Sequence, residues 1–295
     1  MTDPSREALT PPIHLAYDTP QVSWYGDENE RWTSGVLPTD NGASAWEFGV
    51  LSIVDSDMSY VLGALPLQNR SKIGAYLNRF LRRAIMTYNL DIGRVYMDSQ
   101  LYTEEAVSAL RQNNVDFLIQ GKDDGGIEEL LDEAEAGEIA TREDVRFGDR
   151  DFSRPPNAFA WPVPSEKTGA DDRDRPHEAF ITDIDVEERD LEGLGQQFRK
   201  RWGIETSIRE IKDRYHAKCN HSDHRLRAYY FIIATVLYNL SQYVDNRLEE
   251  RLMADDVSWG GQEFLHAVRR VDPNEVPDWG GTFKATDDHD WTQFW

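Results

Sequence analysis

The sequence predicts an α/β protein, a mixed sheet flanked by helices, on three observations. Short apolar runs that end at acids alternate with segments of helical period, so strands and helices come interleaved and not in blocks. A proline- and acid-rich stretch over 121–176 breaks this alternation and reads as an insertion. Beyond it the alternation resumes and closes on a long helix. At 295 residues and 34.0 kDa the chain has room for one large domain or two small ones around a sizeable core.

Residues 1–12 are a polar lead without the apolar segment of a signal peptide. Residues 13–18 read as a strand ending at Asp18, and Thr19-Pro20 then breaks the pattern. Stretches 46–54 and 60–65 read as two more strands, joined by a hairpin through Asp55-Ser-Asp57. Residues 73–90 carry Ile73, Leu77, Leu81 and Ile85 on one helical stripe. A strand over 93–98 ends at Asp98; a helix over 103–112 and a strand over 115–120 follow. Three strands, helix, strand, helix, strand is the element order of a ribonuclease-H-like domain, with 13–120 as its first part. Within the insertion only Phe159-Ala-Trp161 has strand character. Residues 177–254 form the second part of the core: a strand over 179–184, a helix through 198–212 and a long helix from 225 to 253. Residues 255–295 form an acidic tail containing tryptophans.

The chain carries 54 acidic and 32 basic residues, a formal charge of −22. Such an excess argues against a nucleic-acid binder, which should show a basic footprint. Halophilic solubility is the competing cause, because the aliphatic and aromatic core stretches are unlike a disordered acidic tail. In molar salt the Debye length shrinks to about 3 Å, so recognition rests on short contacts, for which the arginine fork suits phosphate. The single Cys219 excludes an intramolecular disulfide and fits a reducing cytoplasm. The longest apolar run, 228–240, is too short and tyrosine-rich for a membrane span. A soluble cytoplasmic protein with no membrane partner is the expectation.

On the helix through 198–212, Phe198, Arg201, Glu205 and Lys212 fall within about 60° of one face at 3.6 residues per turn. Ile204, Ile208, Ile211 and Tyr215 form an adjacent apolar strip. The plain interpretation is an i,i+4 ion pair between Arg201 and Glu205, contributing a few tenths of about 1 kcal/mol. The spacing Phe198-x2-Arg201-x3-Glu205-x6-Lys212 nevertheless resembles the Tyr-x2-Arg-x3-Glu-x6-Lys signature of one group of insertion-sequence DDE transposases. Arg201-Trp202-Gly-Ile-Glu205 is similar to the core of that signature. Asp18-Thr with the following Trp24-Tyr25-Gly26, and Tyr96-Met-Asp98 ahead of Tyr102 and a helix, resemble the group's first and second acid motifs. Residues 214–243 resemble its closing helix, so the likeness spans about 13–250, and the acidic, arginine-biased composition points to a haloarchaeal type.

The resemblance implies a ribonuclease-H-like core with an insertion before the third-acid helix, and Asp18, Asp98 and Glu205 as catalytic, metal-binding residues. It implies cut-and-paste DNA transposition, with element ends and target DNA as partners; a homodimer on DNA is one assembly it allows. Carboxylate oxygens suit Mg²⁺ or Mn²⁺, and two such ions about 3.5–4 Å apart can hold the attacking and leaving oxygens of phosphoryl transfer. Asp18 would bridge the ions, while Asp98 and Glu205 would each hold one. Arg201 and Lys212 would clamp phosphates, and Phe198 stands where the family's tyrosine makes a polar phosphate contact. Trp161 would stack a displaced base. The group's members carry a DNA-binding region ahead of the first acid, and Asp18 lies close to residue 1. A truncated non-mobilising remnant or inhibitor, and a stand-alone metal-dependent nuclease, are therefore the alternatives.

Other interpretations compete at several of these positions. Asp18 and Asp98 can be turn or cap residues, although Thr103 with Glu104 and Glu105 already supplies a helix start after Asp98. Asp55 and Asp57 are rival first acids in a hairpin. His216, Cys219, His221 and His224 have ligand types suited to zinc but not the spacing of a finger. Gly121 to Gly126 is too acidic to cradle nucleotide phosphates.

Overall fold

The computed structural model describes residues 11–26, 32–34, 44–54, 59–122, 124–146, 154–163, 177–186, 191–215 and 221–252, with Gly261, Phe264 and Leu265. In chain order the strands begin with β1 (Ile13–Asp18), β2 (Gln21–Trp24), β3 (Thr33–Ser34), β4 (Ser44–Ile53) and β5 (Val61–Pro66). They continue with β6 (Ile92–Met97), β7 (Asp116–Gln120), β8 (Ala140–Arg142), β9 (Asn157–Pro162) and β10 (His177–Thr182). The helices are α1 (Ile73–Met86), α2 (Glu104–Gln112), α3 (Gly125–Glu133), α4 (Leu191–Phe198), α5 (Trp202–Glu210) and α6 (His224–Leu252).

β1, β6 and β7 are parallel neighbours, while β4 runs antiparallel to both β1 and β5. The resulting order β5-β4-β1-β6-β7 makes the fold ribonuclease-H-like, as the element order in the sequence predicts. β10, β9 and β8 extend the sheet antiparallel beyond β7, and β2 and β3 pair with the first half of β4.

Side chains alternate between the two faces of a strand, and each face has its own core. Leu15, Tyr17, Val95 and Met97 pack with Leu77, Leu81, Val107 and Leu110 of α1 and α2. Ala16 and Tyr96 point the other way, onto Phe198, Ile204, Ile208 and Phe231 of α4, α5 and α6. α1 ends where Thr87 caps it, and Asn89 takes a left-handed φ of 52° to turn the chain toward β6, a conformation asparagine tolerates.

Two stretches depart from the sequence expectation. Part of 121–176 is regular: besides β9, which is the strand expected around Phe159-Ala-Trp161, α3 packs against the sheet and β8 joins it as a strand. α3 escapes detection because only Ile127 and Leu130 of its residues are buried. The helix expected through 198–212 is three pieces: the end of α4, a 3-10 turn over Arg199–Arg201, and α5 running into a π-helical segment at Ile211–Tyr215. The hairpin acids Asp55 and Asp57 lie outside the described residues, as does most of 255–295. Phe264 is buried in the core beneath α6. No helix among the described residues is long and apolar enough to cross a membrane.

Candidate active site

The parallel register sets Tyr17 opposite Met97, so β1 and β6 end level and Asp18 and Asp98 leave the sheet side by side. By strand alternation both continue the face of Ala16 and Tyr96, the face that α5 covers. Asp18 Oδ1 accepts the Thr19 N–H at 2.7 Å. Asp98 Oδ1 accepts the Gln100 N–H at 3.0 Å and caps a 3-10 turn over Ser99–Leu101, while Thr103 separately caps α2. Asp98 is thus a cap as well as an edge acid.

Glu205 stands on the exposed side of α5, paired with Arg201 at 2.7 Å. A cleft of about 290 Å³ is lined by Asp18 and Glu205 together with Arg209 and Lys212. Lys212 Nζ donates to the Gln21 carbonyl at 2.9 Å, which ties the π segment to the chain just past Asp18. Arg201 is 7% exposed, and its Nε has no hydrogen-bond partner among the described residues.

The acids act on one another. Burial raises the Asp18 carboxyl to about 6, and the negative charge of Asp98 adds to the rise; the Thr19 N–H and Arg201 oppose it. Burial also raises Asp98, against the pull of Arg201 and of the Gln100 and Leu101 N–H groups, and Glu205 pushes in the same direction as burial. Such crowding of carboxylates favours a cation between them. The donor set is all oxygen, which fits Mg²⁺ or Mn²⁺ and not zinc. As the side chains stand, no three His, Cys, Asp or Glu groups among the described residues converge on one ion position. The third carboxylate is instead paired with a cation of the chain's own, Arg201.

Of the expected DNA contacts only Lys212 is brought to open surface; Arg201, Phe198 and Trp161 are all buried. Phe198 is 5% exposed, its ring meeting Tyr96 and Phe180, with the Arg201 guanidinium 5.2 Å from its centre. A phenylalanine is suited to that apolar seat, and a tyrosine hydroxyl there would need a buried partner. Trp161 is 6% exposed beneath Arg199, whose guanidinium lies 4.7 Å above the ring. On its other side α4 comes so close that a Cβ on Gly195 would stand 2.5 Å from the indole. Of the histidine and cysteine group, His216 and Cys219 lie outside the described residues. His221 Nδ1 accepts the Asp223 N–H, and His224 stacks on Trp32 at 4.9 Å.

Sequence reasoning passes over Glu47 and Arg70, which pair a buried carboxylate with an exposed guanidinium at the same edge of the sheet. The signal that could have found them is a glutamate inside the apolar run Ala45-Trp-Glu-Phe48.

The molecule is therefore a ribonuclease-H-like α/β protein with an acidic, arginine-lined cleft where its parallel strands end. Residues 12–240 match the family model of the transposase DDE domain, and the chain belongs to that family. Among solved structures it is similar to a piggyBac transposase, in a synaptic complex with hairpin DNA, at 13% identity and a TM-score of 0.53. That match covers 96% of this chain and 61% of the piggyBac chain, and it bears on fold alone. A likeness to the Argonaute of Marinitoga piezophila, at 7% identity and a TM-score of 0.27 over 62% of this chain and 25% of that one, carries no argument. No curated protein matches the chain.

Proposed function

We propose that the chain is the catalytic domain of a DNA transposase that cleaves and joins phosphodiester bonds, with Asp18, Asp98 and Glu205 as its metal-binding acids. The observation that carries this reading is that Asp18 and Glu205, 187 residues apart (205 − 18), line one cleft, with Asp98 beside Asp18 at the next strand end. Membership of the transposase DDE family supports the same assignment. Two divalent ions held by these carboxylates would activate the attacking oxygen and stabilise the leaving one.

The chain's own residues prepare that chemistry. Asp18 and Asp98 are held in place by backbone N–H groups at the sheet edge. Arg201 holds Glu205 at the cleft, where that carboxylate would be one of the groups to hold a divalent cation. Lys212, on the exposed side of the cleft, is placed to meet a backbone phosphate of DNA. The Phe198 ring supports Arg201 from beneath and does not itself touch phosphate. The spacing from Phe198 to Lys212 favours the Tyr-Arg-Glu-Lys group, and the charge of −22 favours a halophilic, haloarchaeal type. Element ends, target DNA and a homodimer on DNA belong to the same proposal, with 121–176 as an insertion into the catalytic core.

The test is incubation with element-end DNA and Mn²⁺ in molar KCl. Specific end cleavage that disappears in Asp98→Asn supports the proposal. Non-specific nicking points to a stand-alone nuclease, and binding without any cut points to a remnant.

A further inference from the structure

We infer that Arg70, held by the buried carboxylate of Glu47, is a further phosphate-contacting residue of the acid cleft; the inference rests on the transposase reading above. β4 is antiparallel to β1, with Val50 opposite Asp18, so Glu47 lies beyond the end of β1 at the edge where the acids gather. The Leu67 N–H donates to the Glu47 carbonyl at 2.8 Å, which fixes the turn after β5 and delivers Arg70 to the same edge. Arg70 Nε donates to both Glu47 oxygens, at 2.9 and 3.0 Å, and Nη2 donates to Oε1 at 2.6 Å. Nη2 also reaches Gln100 Oε1 at 3.4 Å, and the Gln100 N–H donates to Asp98. A continuous polar chain thus runs from Glu47 through Arg70 and Gln100 to Asp98.

The pair is unequal. The Glu47 side chain is 2% exposed and that of Arg70 44%. A buried carboxylate with one half-open partner is a poor stabilising device, because desolvation offsets much of the attraction. What it does achieve is a guanidinium with fixed orientation. One edge is spent on Glu47, and Nη1 has no partner among the described residues. The hydrogen bonds to Glu47 hold Arg70 further toward its charged form, against partial burial, and the Asp98 charge adds to that. Glu47 shares the α1 face of β4 with Leu51 and Ile53, so Arg70 stands at the strand ends on that side, while Lys212 lines the cleft on the α5 side; a strand crossing the acids would run from one cation to the other. In a chain of charge −22 such short contacts have to replace long-range attraction, and an oriented arginine fork is the group suited to phosphate.

The experiment compares wild type, Arg70→Gln, Arg70→Lys and Glu47→Gln, with Asp98→Asn alongside. DNA affinity is measured by anisotropy in Ca²⁺ across a KCl series, cleavage in Mn²⁺, and melting temperature for each variant. Arg70→Gln is expected to flatten the plot of log affinity against log salt by about 0.9 on duplex DNA and to weaken binding about fivefold. Arg70→Lys keeps the charge and the slope but loses cleavage rate with the fork. Glu47→Gln leaves the slope and lowers the rate by releasing Arg70. If Arg70→Gln only lowers the melting temperature, with wild-type slope and cleavage per folded molecule, the pair is structural and the inference fails. If that happens while Asp98→Asn abolishes cutting, the transposase reading stands without it. A wild-type chain that neither binds nor cuts DNA overturns both.

Discussion

The two faces of the sheet are packed by helices of different kinds. On one face α1 is a single unbroken helix that buries Ile73, Leu77, Phe80, Leu81 and Ala84, and α2 beside it starts at a Thr103 cap. On the other, the long α6 is also unbroken, but beside it α4 gives way to a 3-10 turn, α5 and a π segment in quick succession. The regular face buries apolar stripes. The irregular face buries Arg201 and sets Glu205 and Lys212 around the ends of β1 and β6. The difference teaches that regularity here serves stability, while the breaks let Phe198 sit in the core and leave Glu205 and Lys212 on the cleft; π segments often occur at functional sites.

The sharpest break in that comparison is expected at the acids. Asp98→Asn or Glu205→Gln should reduce Mn²⁺-dependent DNA cleavage at least about a thousandfold, some 4 kcal/mol of barrier. Melting should change little in Glu205→Gln, on the exposed side of α5, and should not fall in Asp98→Asn, which removes a carboxylate whose ionisation burial opposes. A nicking assay with a parallel melt measures both.

Next come the cores. Leu77→Ala on the regular face should cost about 2–5 kcal/mol of stability yet leave cleavage per folded molecule unchanged. Phe198→Ala should cost about 3–5 kcal/mol and also reduce cleavage, because Arg201 loses the ring beneath it. Urea melts combined with activity per folded molecule separate the two. Equal effects on activity from both variants would erase the contrast between the faces.

A smaller effect concerns pH. Folding raises the Asp18 carboxyl from its ordinary 3.8 to about 6, so between these values the folded chain binds more protons than the unfolded one. The metal-free protein should therefore lose stability as pH rises from 4 to 6, and Asp18→Asn should be more stable than wild type at pH 7.5 by about 1–3 kcal/mol. Saturating Mn²⁺ should remove that advantage. Denaturation curves at pH 4.5 and 7.5 give the sign directly. The smallest change is expected for Lys212→Ala, which should flatten the salt dependence of duplex binding by about 0.9 and cost at most about 1 kcal/mol of stability with the exposed bond to Gln21.

Much of the regular architecture was legible in the sequence. Apolar runs ending in Asp18 and Asp98 mark parallel strand ends, and the stripe of Ile73, Leu77 and Leu81 marks α1, because alternation and helical period are local properties. The breaks in 198–215 were not legible: a period of 3.6 fits Phe198, Arg201, Glu205 and Lys212 equally well whether the backbone is continuous or not. The same pattern put Phe198 on the charged face, whereas the 3-10 turn after it lets its ring stay in the core. β2 and β3 are four and two residues long, too short for alternation to register. Glu47 and Arg70 stand 23 apart in sequence and meet only because β4, β5 and the following turn fold back together.

The central claim is that Asp18, Asp98 and Glu205 share divalent cations. Calorimetric titration of Mn²⁺ into the DNA-bound chain at pH 7.5 tests it most directly, against Asp18→Asn, Asp98→Asn and Glu205→Gln. The account predicts saturable binding in wild type and at least about a tenfold loss of affinity in each variant, some 1.4 kcal/mol. Wild-type affinity in all three variants would contradict it.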